Sequence, residues 1–172
     1  TDVTCNGFNN GSATVTASGG SGAFTYTWSN SQSASIATGL IAGTYIVTVT
    51  DSLNCLALAN VTITQPLLLT VSASKTDVTC FGLNNGTVSA IASGGVGTYA
   101  YTWSSGSTSG LSAGTYKVTA TDSNSCTASD SATVIEPSAL TVNDGTVSVC
   151  QGDSATIYGS YESAAGIYYD SL

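Results

Sequence analysis

The feature that most constrains this chain is that it repeats itself. Thr1-Asp2-Val3-Thr4-Cys5 returns as Thr76-Asp77-Val78-Thr79-Cys80, and Asn9-Asn10-Gly11 as Asn84-Asn85-Gly86. Ala17-Ser18-Gly19-Gly20 returns as Ala92-Ser93-Gly94-Gly95, and Tyr26-Thr27-Trp28 as Tyr101-Thr102-Trp103, all at an offset of 75. Beyond the Trp the offset falls to 71: Ala42-Gly43-Thr44-Tyr45 pairs with Ala113-Gly114-Thr115-Tyr116, Cys55 with Cys126 and Pro66 with Pro137. The difference lies in the Ser-rich stretches 29–41 and 104–112, which are expected to be surface loops, where insertions are tolerated. Leu69-Thr70-Val71 recurs after the second proline as Leu140-Thr141-Val142. The frame is therefore best drawn as a complete module over 67–137, a module over 1–66 without its opening strand, and the start of a third over 138–172.

Side-chain alternation inside the repeat indicates strands. Ala13, Val15 and Ala17 alternate with Thr14 and Thr16, while Phe24, Tyr26 and Trp28 alternate with Thr25 and Thr27. Tyr45, Val47 and Val49 alternate with Thr44, Ile46 and Thr48. The second copy keeps the scheme with Val88, Ala90 and Ala92, then Tyr99, Tyr101 and Trp103, then Tyr116, Val118 and Ala120; Lys117 replaces the outward Ile46. Asn-Gly and Gly-Gly pairs mark tight turns. The expectation is an all-β chain of tandem small immunoglobulin-like β-sandwich modules, each with about seven short strands and a core built on Trp28 and Tyr45 or on Trp103 and Tyr116.

Composition then narrows the function. Charged residues are 7% of the 172, with a net charge of −8 and no His, against about 25% charged in an ordinary domain. Acidity speaks against a nucleic-acid partner. Lack of His removes the usual general base and metal ligand. No apolar run approaches the roughly 18 residues of a membrane helix, so no membrane insertion is expected, and Thr1–Cys5 has neither the basic nor the apolar part of a signal peptide.

Each copy has two cysteines in matching places. The economical pairing is Cys5 with Cys55 and Cys80 with Cys126, one disulfide per module, each adding about 4 kcal/mol by loop closure; reduced, buried thiols are the other reading. Disulfides imply an oxidising, extracytoplasmic site. Cys150 is left unpaired within these residues.

The string D-V-T-C-x-G-x-N-N-G, followed by A-S-G-G, Y-T-W, A-G-T-Y-x-V-T-x-T-D and a trailing Cys and Pro, resembles the SprB-type repeat of giant cell-surface adhesins from gliding Bacteroidota. The resemblance covers 1–137. Residues Val149-Cys150-Gln151-Gly152-Asp153-Ser154-Ala155-Thr156 look more like the opening of a PKD-like or immunoglobulin-like module. Membership implies export by the type IX secretion system, a place on the cell surface, a part in adhesion and gliding, and no catalytic residues.

Several residues are candidate sites. Asp-Ser pairs before an apolar residue place Ser52, Ser131, Ser154 and Ser171 in a pattern similar to the O-glycosylation sequon of Bacteroidota; abundant Ser and ordinary turns produce the same pairs. Asp2, Asp51, Asp77 and Asp122 lie near cysteines and are candidates for calcium if they converge at one end of a sandwich. No D-x-D-x-D-G loop accompanies them, and turn capping is the competing role. No other cofactor is expected. Tyr26, Trp28 and Tyr45, with Tyr101, Trp103 and Tyr116, would stack sugars if exposed, but their alternation with Thr puts them in the core. Neither Lys75 nor Lys117 recurs in the first copy, and no G-x-S-x-G elbow occurs. The reading that follows is a non-catalytic stalk segment of an extracellular cell-surface adhesin, whose partners are neighbouring modules, surface glycans or other surface proteins. A carbohydrate-binding or spacer module of a secreted multidomain protein is the alternative, and filament assembly through exposed Ser and Thr faces a third.

Overall fold

The computed structural model describes residues 1–139. It is all-β: eleven strands and no helix among the described residues. Cys150, Ser154, Ser171, the expected third module and its PKD-like opening fall outside them from residue 140 onward.

The first copy supplies β1 (Gly11–Thr14), β2 (Thr25–Trp28), β3 (Ile36–Leu40), β4 (Gly43–Thr50) and β5 (Leu56–Ile63). The second supplies β6 (Thr70–Thr76), β7 (Gly86–Ser93), β8 (Ala100–Trp103), β9 (Ser109–Leu111), β10 (Gly114–Thr121) and β11 (Thr127–Val134). All ladders are antiparallel. Sheet orders are β1-β3 and β2-β4-β5, then β6-β7-β9 and β8-β10-β11. The second copy thus reproduces the topology of the first and adds β6 outside β7. Five and six strands are fewer than the seven expected per module.

The stretches 29–41 and 104–112, expected to be loops, contain β3 and β9. These strands escape a sequence reading because each is short and broken by a glycine, Gly39 in Ile-Ala-Thr-Gly-Leu and Gly110 in Ser-Gly-Leu, so neither shows a period of two. They are fixed by one buried leucine each, Leu40 and Leu111, lying opposite Gly11 and Gly86. The preceding Gly39 and Gly110 have φ of 68° and 69° at the register shift, a conformation that suits a residue without Cβ.

Alternation assigns the inner faces correctly almost throughout. Ala13, Trp28, Ala37, Leu40, Val47, Val49 and Ile63 form one buried cluster with Val3, drawn from both sheets of the first copy. Val78, Val88, Leu111, Ala132 and Val134 form its counterpart, with Trp103 and Tyr116 packed against it; Tyr45 packs likewise against the first. The Tyr45 and Tyr116 hydroxyls donate to the carbonyls of Ile41 and Ser112 at 3.1 and 2.9 Å. Tyr101 keeps its inward face, opposite buried Ala120, and its hydroxyl accepts the Ala92 N–H of the facing sheet at 2.9 Å; on the edge strand β8 its ring nonetheless stays 41% exposed.

A third cluster belongs to neither copy alone. Cys5 of the first packs with Leu69, Ala92, Ala120 and Cys126 of the second.

Candidate functional site

That third cluster surrounds the one disulfide whose two partners are both described. Cys5 is bonded to Cys126, with Cα atoms 5.7 Å apart across 121 residues of sequence. Cys80 is also disulfide-bonded, while Cys55 is a free, exposed thiol. The expected pairing of Cys5 with Cys55 and Cys80 with Cys126 is therefore corrected: the first cysteine of one copy joins the second cysteine of the next. The reason is the length of β5. Cys55 sits just before it, whereas the Cys5 loop is held just beyond its other end, a span of roughly 27 Å for eight residues. A disulfide needs Cα atoms within about 7 Å.

The repeated motif builds the loop that carries the bond. Asp2 Oδ1 accepts the Thr64 N–H at 2.7 Å, and the Val3 N–H donates back to the Thr64 carbonyl at 3.0 Å. Asn10 folds the loop on itself, its Oδ1 accepting from Thr4 N–H at 3.0 Å and its Nδ2 donating to Thr4 Oγ1 at 2.6 Å. Gly7 N–H donates to Gln65 Oε1 and Asn6 Nδ2 to the Pro66 carbonyl. The second copy repeats this with Asp77 on Ile135, Asn85 on Thr79 and Glu136 on Gly82. Lys75 adds an ion pair to Asp77 at 2.5 Å. The Thr, Asn and Gln/Glu of this loop are functional residues that the sequence reading passed over, although their recurrence at the repeat offset was visible.

The receiving side is built on Asp122. Its Oδ1 accepts the N–H groups of Asn124 and Cys126, each at 2.9 Å, and its Oδ2 accepts that of Val96 at 2.8 Å. Burial opposes its charge, but these three donors outweigh burial and hold the carboxyl below the ordinary Asp value. Gly95 lies against this carboxylate, and a Cβ there would stand 2.5 Å from Oδ2. Asn124 Nδ2 then donates to the Thr4 carbonyl at 2.9 Å, across the joint. Asp51 holds the same kind of turn before Cys55, accepting from Cys55, Leu53 and Ser21; the Cys55 N–H is the main cause of its lowered pKa.

The four candidate calcium aspartates are not brought together within a copy. Asp51 and Asp122 cap the turns that precede β5 and β11, whereas Asp2 and Asp77 bind backbone beyond the other ends of those strands. No group of three or more His, Cys, Asp or Glu able to hold a metal ion occurs among the described residues. Of the Ser candidates, Ser52 donates its hydroxyl to the Ser21 carbonyl at 2.6 Å, and Ser131 is exposed on β11 opposite Lys117. Ser72-Ala73-Ser74-Lys75 spells S-x-x-K, but on strand β6 residues three apart face opposite ways. No helix of the described residues is long and apolar enough to cross a membrane.

A comparison with curated proteins gives no match. The family model of the SprB repeat matches residues 1–33 and 72–108, two segments that each contain the cysteine loop and run through the Tyr-Thr-Trp strand. Each of the two copies thus contains a segment that matches the SprB repeat.

Proposed function

We propose that this chain is a non-catalytic stalk segment of a gliding-motility cell-surface adhesin, in which each repeat is a small immunoglobulin-like sandwich locked to the next. The modules are those of 1–66, 67–137 and 138–172, and their first partners are one another. The observation that carries the reading is the bond between Cys5 and Cys126, which crosses from copy to copy. A disulfide inside each module would guard that module alone. One between modules also fixes the joint, and it shunts tension past residues 6–125, which lie between its cysteines. The SprB repeat belongs to cell-surface proteins, and a disulfide is the chemistry of an oxidising compartment. Export by the type IX route, and glycans on Ser52 and Ser131, would suit a surface so short of charge.

Single-molecule pulling between the termini tests this. Oxidised chain should show no extension from residues 6–125. Reduction should release roughly 400 Å of contour, at about 3.5 Å per residue. Full-length extension without reductant would contradict the reading.

The carbohydrate-binding alternative has one observation of its own. Tyr101 and Trp103 border a shallow hollow of about 490 Å³ with Gly106, Ser107 and Thr108. Glycan-array binding that is lost on Tyr101→Ala would favour it.

A further inference from the structure

The second copy shows what its receiving end accepts. β6 lies along β7, with Val71 opposite Ala92 and Ala73 opposite Ala90. The Leu67 carbonyl accepts the Gly95 N–H at 2.9 Å, Asp130 accepts the Ala73 N–H at 2.8 Å, and Leu69 is buried beside the Cys5–Cys126 bond. The first copy has the same end without that cover. Val15, Ala17, Phe24, Val49, Cys55 and Ala57, the counterparts of Ala90, Ala92, Tyr99, Ala120, Cys126 and Ala128, line an open groove of about 380 Å³. β1 stops at Thr14, whereas β7 runs on to Ser93 along β6. A Cβ on Gly94 would collide with the Leu68 carbonyl; on Gly19, its counterpart, it would meet nothing within 4 Å. The turn before Cys55 is already set by Asp51.

We propose that this groove and Cys55 form the receiving end of the same clamp. The groove takes an opening strand of β6 chemistry joined directly ahead of Thr1, and Cys55 takes a disulfide from the first-cysteine loop of a repeat further ahead in the same polypeptide. A second copy of this chain does not serve, because its Cys5 is already bonded to Cys126. Closing the bond removes two protons and two electrons from the two thiols. A disulfide oxidant accepts them: one thiolate attacks it to form a mixed disulfide, and the other displaces the reduced carrier thiol. Leu53 and Ala59 stand where Asn124 and Asp130 stand in the second copy. The joint therefore lacks those two polar links, and the disulfide and apolar strand contacts carry it. In an array the bonds interlock, since the loop opened at Cys5 is not closed before the next begins at Cys80. The proposal concerns the joint alone and holds whatever the parent protein adheres to.

The test extends the 172-residue chain by a duplicate of residues 1–75 fused ahead of Thr1, which keeps the repeat in register. The duplicate carries Cys55→Ser to remove its own second thiol and Phe8→Tyr as a mass tag. After oxidation with a glutathione redox couple, non-reducing peptide mapping should recover the tagged Cys5 peptide bonded to the Cys55 peptide. Alkylation of Cys55 by iodoacetamide should slow at least about tenfold relative to the unextended chain, as an accessible thiol becomes bonded. Cys55 still freely alkylated, or bonded to a separate chain, would overturn the proposal. A second measurement uses the unextended chain and a synthetic peptide of residues 67–75. The amide NMR signals of Val15, Ala17, Val49 and Ala57 should shift, and a Val71→Asp peptide should leave them in place. No shift, or shifts confined to β7, would equally overturn it.

Discussion

Asp51 and Asp122 explain why a chain with so few charges keeps a carboxylate at the same point of both repeats. Each gathers backbone N–H groups from two segments, the turn before a cysteine and the Gly-Gly loop, so one side chain fixes the cysteine against its groove. Asp2, Asp77 and Asp130 also have lowered pKa values, chiefly through the N–H groups of Thr64, Ile135 and Ala73. Because the folded values lie below the unfolded one of about 3.9, the unfolded chain takes up protons first on acidification. Their contribution is complete above that value and is lost as pH falls through the folded pKa values. With no His in the chain, thermal melts should give a flat Tm from about pH 8 to 5 and a fall below about pH 4. Asp122→Asn should lower Tm at pH 7 and reduce the size of that fall. Trp28, 3% exposed with its indole N–H on the Ala34 carbonyl at 2.8 Å, is the other residue on which much rests. Trp28→Ala should cost about 3–5 kcal/mol in denaturant melts.

Among the elements, β6 makes the two copies differ. Residues 15–18 and 90–93 hold the same place in the repeat and both end in Ala-Ser, yet only 90–93 are strand, because only they pair with β6. Gly19 and Gly94 register the same difference: both have φ of 78°, but the Leu68 carbonyl crowds only Gly94. Gly19→Ala should cost about 1–2 kcal/mol for its left-handed backbone, and Gly94→Ala clearly more, since it also displaces the strand entry; paired denaturant melts give both values. Strand faces were legible because Thr alternates with apolar residues on β2, β4 and β10. β3 and β9 were not, because a glycine interrupts each short strand: β3 buries Ala37 and Leu40, three residues apart, and β9 buries Leu111 alone. The face of Tyr101 was legible, but its exposure was not, because alternation does not tell that β8 is an edge strand.

At the level of the whole molecule, the repeat was legible from matched strings. The disulfide pattern was not. Matching cysteines in each copy favour bonds within a copy by economy of sequence, and only the length of β5 shows that Cys5 and Cys55 lie at opposite ends. The motif around Cys5 read as a family mark; the structure gives it a task, which is to present that thiol to the next repeat. Asp2, Asn10, Gln65 and Asp122 serve this joint, and their counterparts Asp77, Asn85, Glu136 and Asp51 build the same loop and turn around Cys80 and Cys55. The most direct measurement is a disulfide map of the oxidised 172-residue chain, digested without reduction and read by mass spectrometry. A Cys5–Cys126 peptide pair, with Cys55 recovered as the free thiol, is the result expected. Recovery of Cys5–Cys55 and Cys80–Cys126 pairs would contradict the copy-to-copy clamp.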